Sequence, residues 1–134
     1  MTSSFRGGSI MGKFVISDAK NGVKFNLKAG NGETIAHSEV YSSLASCKKG
    51  IASVIKNAPK APVEDQTKEG YEVLKNPKFE VYQDKKGEFR FRLRARNGQN
   101  IASGEGYTTM KACQNGIESV RKNAAEGKVE REKA

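Results

Sequence analysis

The sequence predicts an α+β fold: two tandem β-β-β-α units whose strands share one antiparallel sheet, with both helices on a single face. Three observations carry this. The chain matches itself when slid by about 66 residues, and roughly half of the positions paired between Phe25–Ala58 and Phe91–Ala124 are identical. Within each copy, an alternating apolar–polar segment is followed by apolar residues at helical spacing. A single copy of about 50 residues would be marginal alone, so two amphipathic halves are expected to close one core between them.

Each element follows from its residues. The first strand is Phe14-Val15-Ile16 in one copy and Phe79-Glu80-Val81-Tyr82 in the other. The next turn, Lys20-Asn21-Gly22 or Lys85-Lys86-Gly87, absorbs a one-residue length difference of the kind that loops tolerate. In the second strand Phe89, Phe91, Leu93 and Ala95 take one face and Arg90, Arg92, Arg94 and Arg96 the other, as in a half-buried strand. Asn31-Gly32 and Asn97-Gly98 predict tight type I′ hairpins, because Asn-Gly best tolerates positive φ at both central positions. Third strands then run over about 34–41 and 100–107. A hydroxyl of Ser42 or Ser43, and of Thr108 or Thr109, is placed to cap the following helix by accepting from an unpaired first-turn N–H. Cys47, Ile51 and Val54 fall at i, i+4 and i+7, as do Cys113, Ile117 and Val120, so each set shares a helix face. Gly50 and Gly116 lie on that same side. A glycine there costs about 1 kcal/mol against Ala, and its presence in both copies predicts close packing against the sheet.

Residues 11–58 thus form the first repeat and residues 78–124 the second, together one structural domain. Residues 59–77 are a linker opened by Pro59 and Pro62, within which Tyr71-Glu72-Val73-Leu74 predicts an extra strand. Its counterpart lies near Lys128-Val129-Glu130, in a charged C-terminal stretch, 125–134, that ends in a fraying tail. Residues 1–10 lack the apolar run of a signal peptide. Met11-Gly12-Lys13 opens the patterned region, so Met11 is read as the natural start and residues 1–10 as a disordered leader.

The string Phe25-Asn26-Leu27-Lys28-Ala29-Gly30-Asn31-Gly32-Glu33-Thr34-Ile35, with Gly50-Ile51-Ala52-Ser53-Val54 and Lys56-Asn57, resembles the YegP-like family of uncharacterised bacterial proteins. The second copy repeats the signature as Leu93-Arg94-Ala95-Arg96-Asn97-Gly98 and Gly116-Ile117-Glu118-Ser119-Val120. The resemblance covers residues 11–129. It implies two β3-αβ units, paired either as tandem repeats or as two chains, that share one antiparallel sheet and exchange their C-terminal strands; with both units in one chain, a monomer with internal pseudo-two-fold symmetry is expected. It implies no activity, no cofactor and no catalytic residues to carry over.

Composition narrows partners without naming one. A net charge of +9 favours encounter with nucleic acid or an acidic protein. No stretch approaches the roughly 20 apolar residues of a membrane span. Two cysteines are too few for a disulfide scaffold, and reduced thiols point to a cytoplasmic protein. Catalytic and metal-ligating patterns are missing. His37 is the sole histidine and its counterpart is Ser103; Cys47 and Cys113 fall on the predicted buried helix face, where a small core residue is the simple reading.

One surface stands out. Arg90, Arg92, Arg94 and Arg96 project from one strand face at intervals of about 7 Å, and the first copy places Lys24 and Lys28 at the positions matching Arg90 and Arg94. Both apolar rows point to the helices, so both basic rows point away and a shared sheet has a basic open face. Guanidinium groups contact phosphates bidentately and stack on bases, which makes this face a candidate nucleic-acid platform, with Tyr82 on the same side. The competing reading is a solvated face on which Glu80 and Glu88 pair with the arginines across strands. A third reading is a protein-interaction module that works through an exposed sheet edge.

Overall fold

Alternation decides the sheet. In β1 (Lys13–Ala19), β2 (Gly22–Lys28), β5 (Lys78–Gln83) and β6 (Phe89–Arg94) the large apolar residues recur every second position, and Phe14, Ile16, Phe25, Leu27, Phe79, Val81, Phe91 and Leu93 all turn inward into one core cluster. The computed structural model describes residues 12–125 and 127–132. The leader and the choice between Met1 and Met11 lie outside them. The remaining elements are β3 (Thr34–His37), α1 (Leu44–Asn57), β4 (Val63–Asp65), β7 (Asn100–Ser103), α2 (Met110–Ala124) and β8 (Val129–Arg131).

All eight strands form one sheet, in the order β4-β5-β6-β7-β3-β2-β1-β8. Each repeat is a meander of three antiparallel strands, and the two meanders meet where His37 pairs with Ser103. Those residues are repeat equivalents, so the pseudo-two-fold axis passes through their pair. Each short strand that follows a helix crosses to the other repeat: β4 pairs with β5, and β8 with β1. The exchange expected from the resemblance is therefore present. These two outer pairings are parallel, however, so the sheet is mixed, whereas an all-antiparallel one was expected. Between β4 and β5 lie the twelve residues 66–77, long enough to bring the chain back for a parallel pairing that a tight hairpin could not make.

The first repeat's exchanged strand is not at Tyr71–Leu74. It is Val63–Asp65, tied in when Phe79 N–H donates to Pro62 C=O and Gln66 N–H donates to Val81 C=O. Tyr71 and Val73 are exposed and belong to no strand. The second repeat's helix helps to hold this segment, since Arg121 donates to the Ala61 carbonyl at 2.7 Å and lies over the Phe79 ring.

Asn31-Gly32 and Asn97-Gly98 also differ from expectation. Only Gly32 and Gly98 have positive φ, at 90° and 87°; Asn31 and Asn97 do not. Ala29 N–H donates to Glu33 C=O and Gly32 N–H to Ala29 C=O, which makes a three-residue loop closed by a left-handed glycine, and the second hairpin is bonded identically. The Asn side chain stays on the near side of the loop, where its Oδ1 accepts from Glu33 N–H or Gln99 N–H.

Both helices start as expected, with Ser43 Oγ accepting from Ser46 N–H and Thr109 Oγ1 from Ala112 N–H, caps each worth about 1 kcal/mol. What the mid-helix glycines accommodate is an aromatic ring. A Cβ at Gly50 would collide with the Tyr41 phenol, and one at Gly116 with that of Tyr107. Tyr41 in turn stacks on Phe25, which meets Phe14 edge-on, and Tyr107, Phe91 and Phe79 repeat the arrangement. Helix α2 touches β1, β2 and β3 as well as β6, and α1 touches β2 and β7, so the two halves share one interior.

Candidate nucleic-acid interface

The face of the sheet turned away from the helices carries the predicted basic rows. Arg90, Arg92 and Arg94 alternate with inward Phe89, Phe91 and Leu93 on β6, and Lys24 and Lys28 alternate with Val23, Phe25 and Leu27 on β2. Strands β7 and β3 lie between the rows, a separation of three strand spacings or about 14 Å. Arg96 does not join them. The β6 ladder ends at Arg94, after a register shift against β7, and Arg96 falls in the hairpin beside α1 on the helix side.

The arginines do not stand alone. Arg90 Nε donates to Asp84 Oδ2 at 2.7 Å; Arg92 Nε and Arg94 Nε both donate to Glu80 Oε1, at 2.6 and 3.0 Å. Arg94 also donates through Nη1 to Gly98 C=O, and the Arg92 guanidinium lies 4.4 Å from the centre of the Tyr82 ring. The Glu80 pairing expected across strands is thus present. Asp84, in the β5–β6 turn, takes the role suggested for Glu88. Tyr82 serves as a platform for Arg92.

Behind Glu80 lies an ionic cluster that pattern reading missed. Glu64 on β4, Lys78 and Glu80 are 2%, 7% and 6% exposed. Lys78 Nζ sits 2.6 Å from Glu64 Oε2 and 3.5 Å from Glu80 Oε2. Gln66 Nε2 and Leu74 N–H also donate to Glu64, so the linker folds back over it. The signal available in sequence was the repeat itself, which aligns Glu64 with Glu130 and Lys78 with Lys13. That second pair forms too, at 3.0 Å, but in the open.

Burial alone would raise the carboxyls of Glu64 and Glu80. The bonds from Lys78, Gln66 and Leu74 to Glu64, and from Arg92 and Arg94 to Glu80, outweigh it and hold both below the ordinary carboxylate range. The Arg90 hydrogen bond does the same for Asp84. A carboxyl whose folded pKa lies below its unfolded value stabilises the fold above the unfolded value, about 4.3 for Glu, and loses that contribution as pH falls through the lower folded value. Thermal unfolding is therefore expected to shift to lower temperature as pH drops from about 5 towards about 3. Glu80→Gln should be less stable at neutral pH and flatter across this window; a wild-type midpoint that does not move with acidification would contradict the assignment.

The other polar candidates are accounted for by the fold. Cys47 and Cys113 are fully buried, and burial raises both thiols, that of Cys113 to about 11, the opposite of the lowered pKa of a nucleophilic cysteine. His37 is exposed at the pseudo-dyad. Among the described residues no group of three His, Cys, Asp or Glu is placed to hold a metal ion, and no helix is long and apolar enough to cross a membrane. The outer strands β4 and β8 are three residues each and charged, short edges of a kind that resists strand addition.

Comparison with known proteins places this architecture. The family model for a domain of unknown function, DUF1508, matches twice, at residues 18–65 and 84–130, once per repeat and each time reaching into the exchanged strand. The UPF0339 protein YegP of Yersinia pestis is 46% identical over 114 residues, 84% of this chain and 88% of the relative. The solution structure of YegP from Escherichia coli, described as a protein of unknown function, superposes with a TM-score of 0.74 at 36% identity, covering 91% of this chain and 93% of that one. A UPF0339 protein of Shewanella oneidensis superposes equally well at 30% identity, with 90% of each chain covered. Twin repeats, exchanged strands and sequence identity across most of both chains lead to one conclusion: the chain belongs to the YegP (UPF0339) family of uncharacterised bacterial proteins.

Proposed function

We propose that this protein binds nucleic acid weakly and without sequence preference on the open face of its sheet, as a cytoplasmic, non-enzymatic monomer. The supporting observation is how the arginine row is held. Arg90 and Arg92 are each fixed through Nε, and among the described residues their terminal amino groups take no hydrogen-bond partner. A guanidinium held from behind has already lost its rotamer freedom on folding, so less ordering cost remains when it meets a phosphate. Lys24 and Lys28 extend the face across the sheet and form no ion pair with a described residue. The acids beneath the row cancel much of its charge, which is why the binding is weak and rests on few contacts. Two free, buried thiols fit a reducing compartment.

Titration with single-stranded and duplex oligonucleotides across a salt series tests this. Affinity should fall with salt, with a log–log slope of about −0.7 to −0.9 per phosphate contact. Lys24→Gln with Lys28→Gln, which leaves the ion pairs intact, should make that slope shallower by one to two contacts, roughly 0.7 to 1.8. Arg92→Gln should weaken binding to both nucleic acids. Absence of binding at low salt, or a slope that these changes leave alone, would rule the reading out.

A further inference from the structure

A cleft of about 570 Å3 lies on the opposite side of the molecule, between α1, the end of the linker and the β6–β7 hairpin. Four cations line it: Lys49 and Lys56 from α1, Lys60 just beyond, and Arg96 from the hairpin. No Asp or Glu does. None of the four is in an ion pair with a described residue, and the amides of Asn76 and Asn97 complete the wall. Gathering like charges around a hollow works against folding, so it asks for a reason. The helix macrodipole accounts for Lys56, which is in the last turn. It does not account for Lys49, about two turns earlier, or for Arg96 on a different element.

The second repeat provides an internal comparison. At the repeat offset Lys49 corresponds to Asn115, Ala52 to Glu118, Lys56 to Lys122, Lys60 to Glu126 and Arg96 to Gly30. The equivalent positions thus offer one cation and two acids, although the core residues beneath, Cys47, Ile51 and Val54, recur unchanged as Cys113, Ile117 and Val120. Charge that served only solubility has no reason to segregate into one copy of a repeat. The cationic surround is confined to one of two equivalent sites, as expected of a binding site rather than of a scaffold.

We propose that this cleft binds a small molecule carrying two or three linked phosphate groups. Lysine ammonium groups bind phosphate as point charges, and a guanidinium grips it with paired N–H donors. The volume is in the range of small-ligand sites, and four cations spread around one hollow suit a ligand with more than one charged group. This site shares no residue with the lysines and arginines of the open sheet face and does not depend on their role.

The probe is inorganic tripolyphosphate added to the full chain, against sodium chloride at matched ionic strength. The unfolding temperature is expected to rise saturably with tripolyphosphate. Amide shifts should concentrate at residues 49–60 and 95–97. Ala52→Glu, at an exposed helix position whose counterpart already is Glu118, should weaken binding about tenfold or more, as should Lys60→Gln with Arg96→Gln. Lys24→Gln with Lys28→Gln on the sheet face should leave it unchanged. Three results would overturn the proposal. One is no saturable effect beyond that of salt. Another is equal weakening by the sheet-face changes. The third is cleft shifts induced by oligothymidylate at lower phosphate concentration than by tripolyphosphate, which would make the cleft part of a nucleic-acid path instead.

Discussion

Phe91→Ala is expected to cost about 3–5 kcal/mol of folding stability, and Phe25→Ala about the same. Each ring is fully buried at the centre of a three-aromatic stack, between an edge-on Phe and a stacked Tyr that a helix glycine makes room for. Removing one leaves a cavity that its rigid neighbours cannot fill. Small domains are stable by only about 5–15 kcal/mol, so either change removes much of the total. The informative part is cooperativity. Both helices pack across strands of both repeats, and β4 and β8 are exchanged. A lesion in one repeat should therefore unfold the other with it. Urea unfolding followed separately by probes in the two halves should give coincident transitions for the wild type and for both variants, displaced to lower denaturant. A Phe91→Ala protein whose first repeat unfolds at the wild-type midpoint would mean that the halves have separate interiors.

How far residues announce this architecture depends on the kind of residue. The repeat, the inward phenylalanines, the capping hydroxyls and the helix faces of Cys47 and Cys113 were legible, because each follows from spacing within a few positions. Strand β4 was not legible from local pattern. It is three residues long, its central residue is a buried glutamate, and the apolar residues Tyr71 and Val73 nearby point outward. Only the repeat offset, which aligns Val63-Glu64 with Val129-Glu130, would have located it. The arginine row was legible as a row, but its neutralisation rests on cross-strand register. Glu80 lies directly opposite Arg92, and Asp84 reaches Arg90 from a turn whose length sets its position. Arg96 left the row because alternation holds only while the ladder lasts, and the ladder stops at Arg94.

The two Lys–Glu pairs at equivalent positions allow burial to be tested with chemistry held constant. Lys78→Ala is expected to cost about 3–5 kcal/mol, because it strands the carboxylate of Glu64 in a site that is 2% exposed. Lys13→Ala removes the same contact, to Glu130, where both side chains are more than a third exposed, and should cost no more than about 1 kcal/mol. The difference comes from the linker. After β4 the chain turns back, and Gln66 and Leu74 close over Glu64, whereas the Lys13–Glu130 pair stands in the open. Replacing Glu64 and Lys78 together by Met and Leu should recover much of the loss, since a buried pair exchanged for apolar residues is often neutral or better. Chemical denaturation of the four proteins measures all of this. Equal costs for Lys78→Ala and Lys13→Ala would show that the linker leaves Glu64 as well solvated as Glu130.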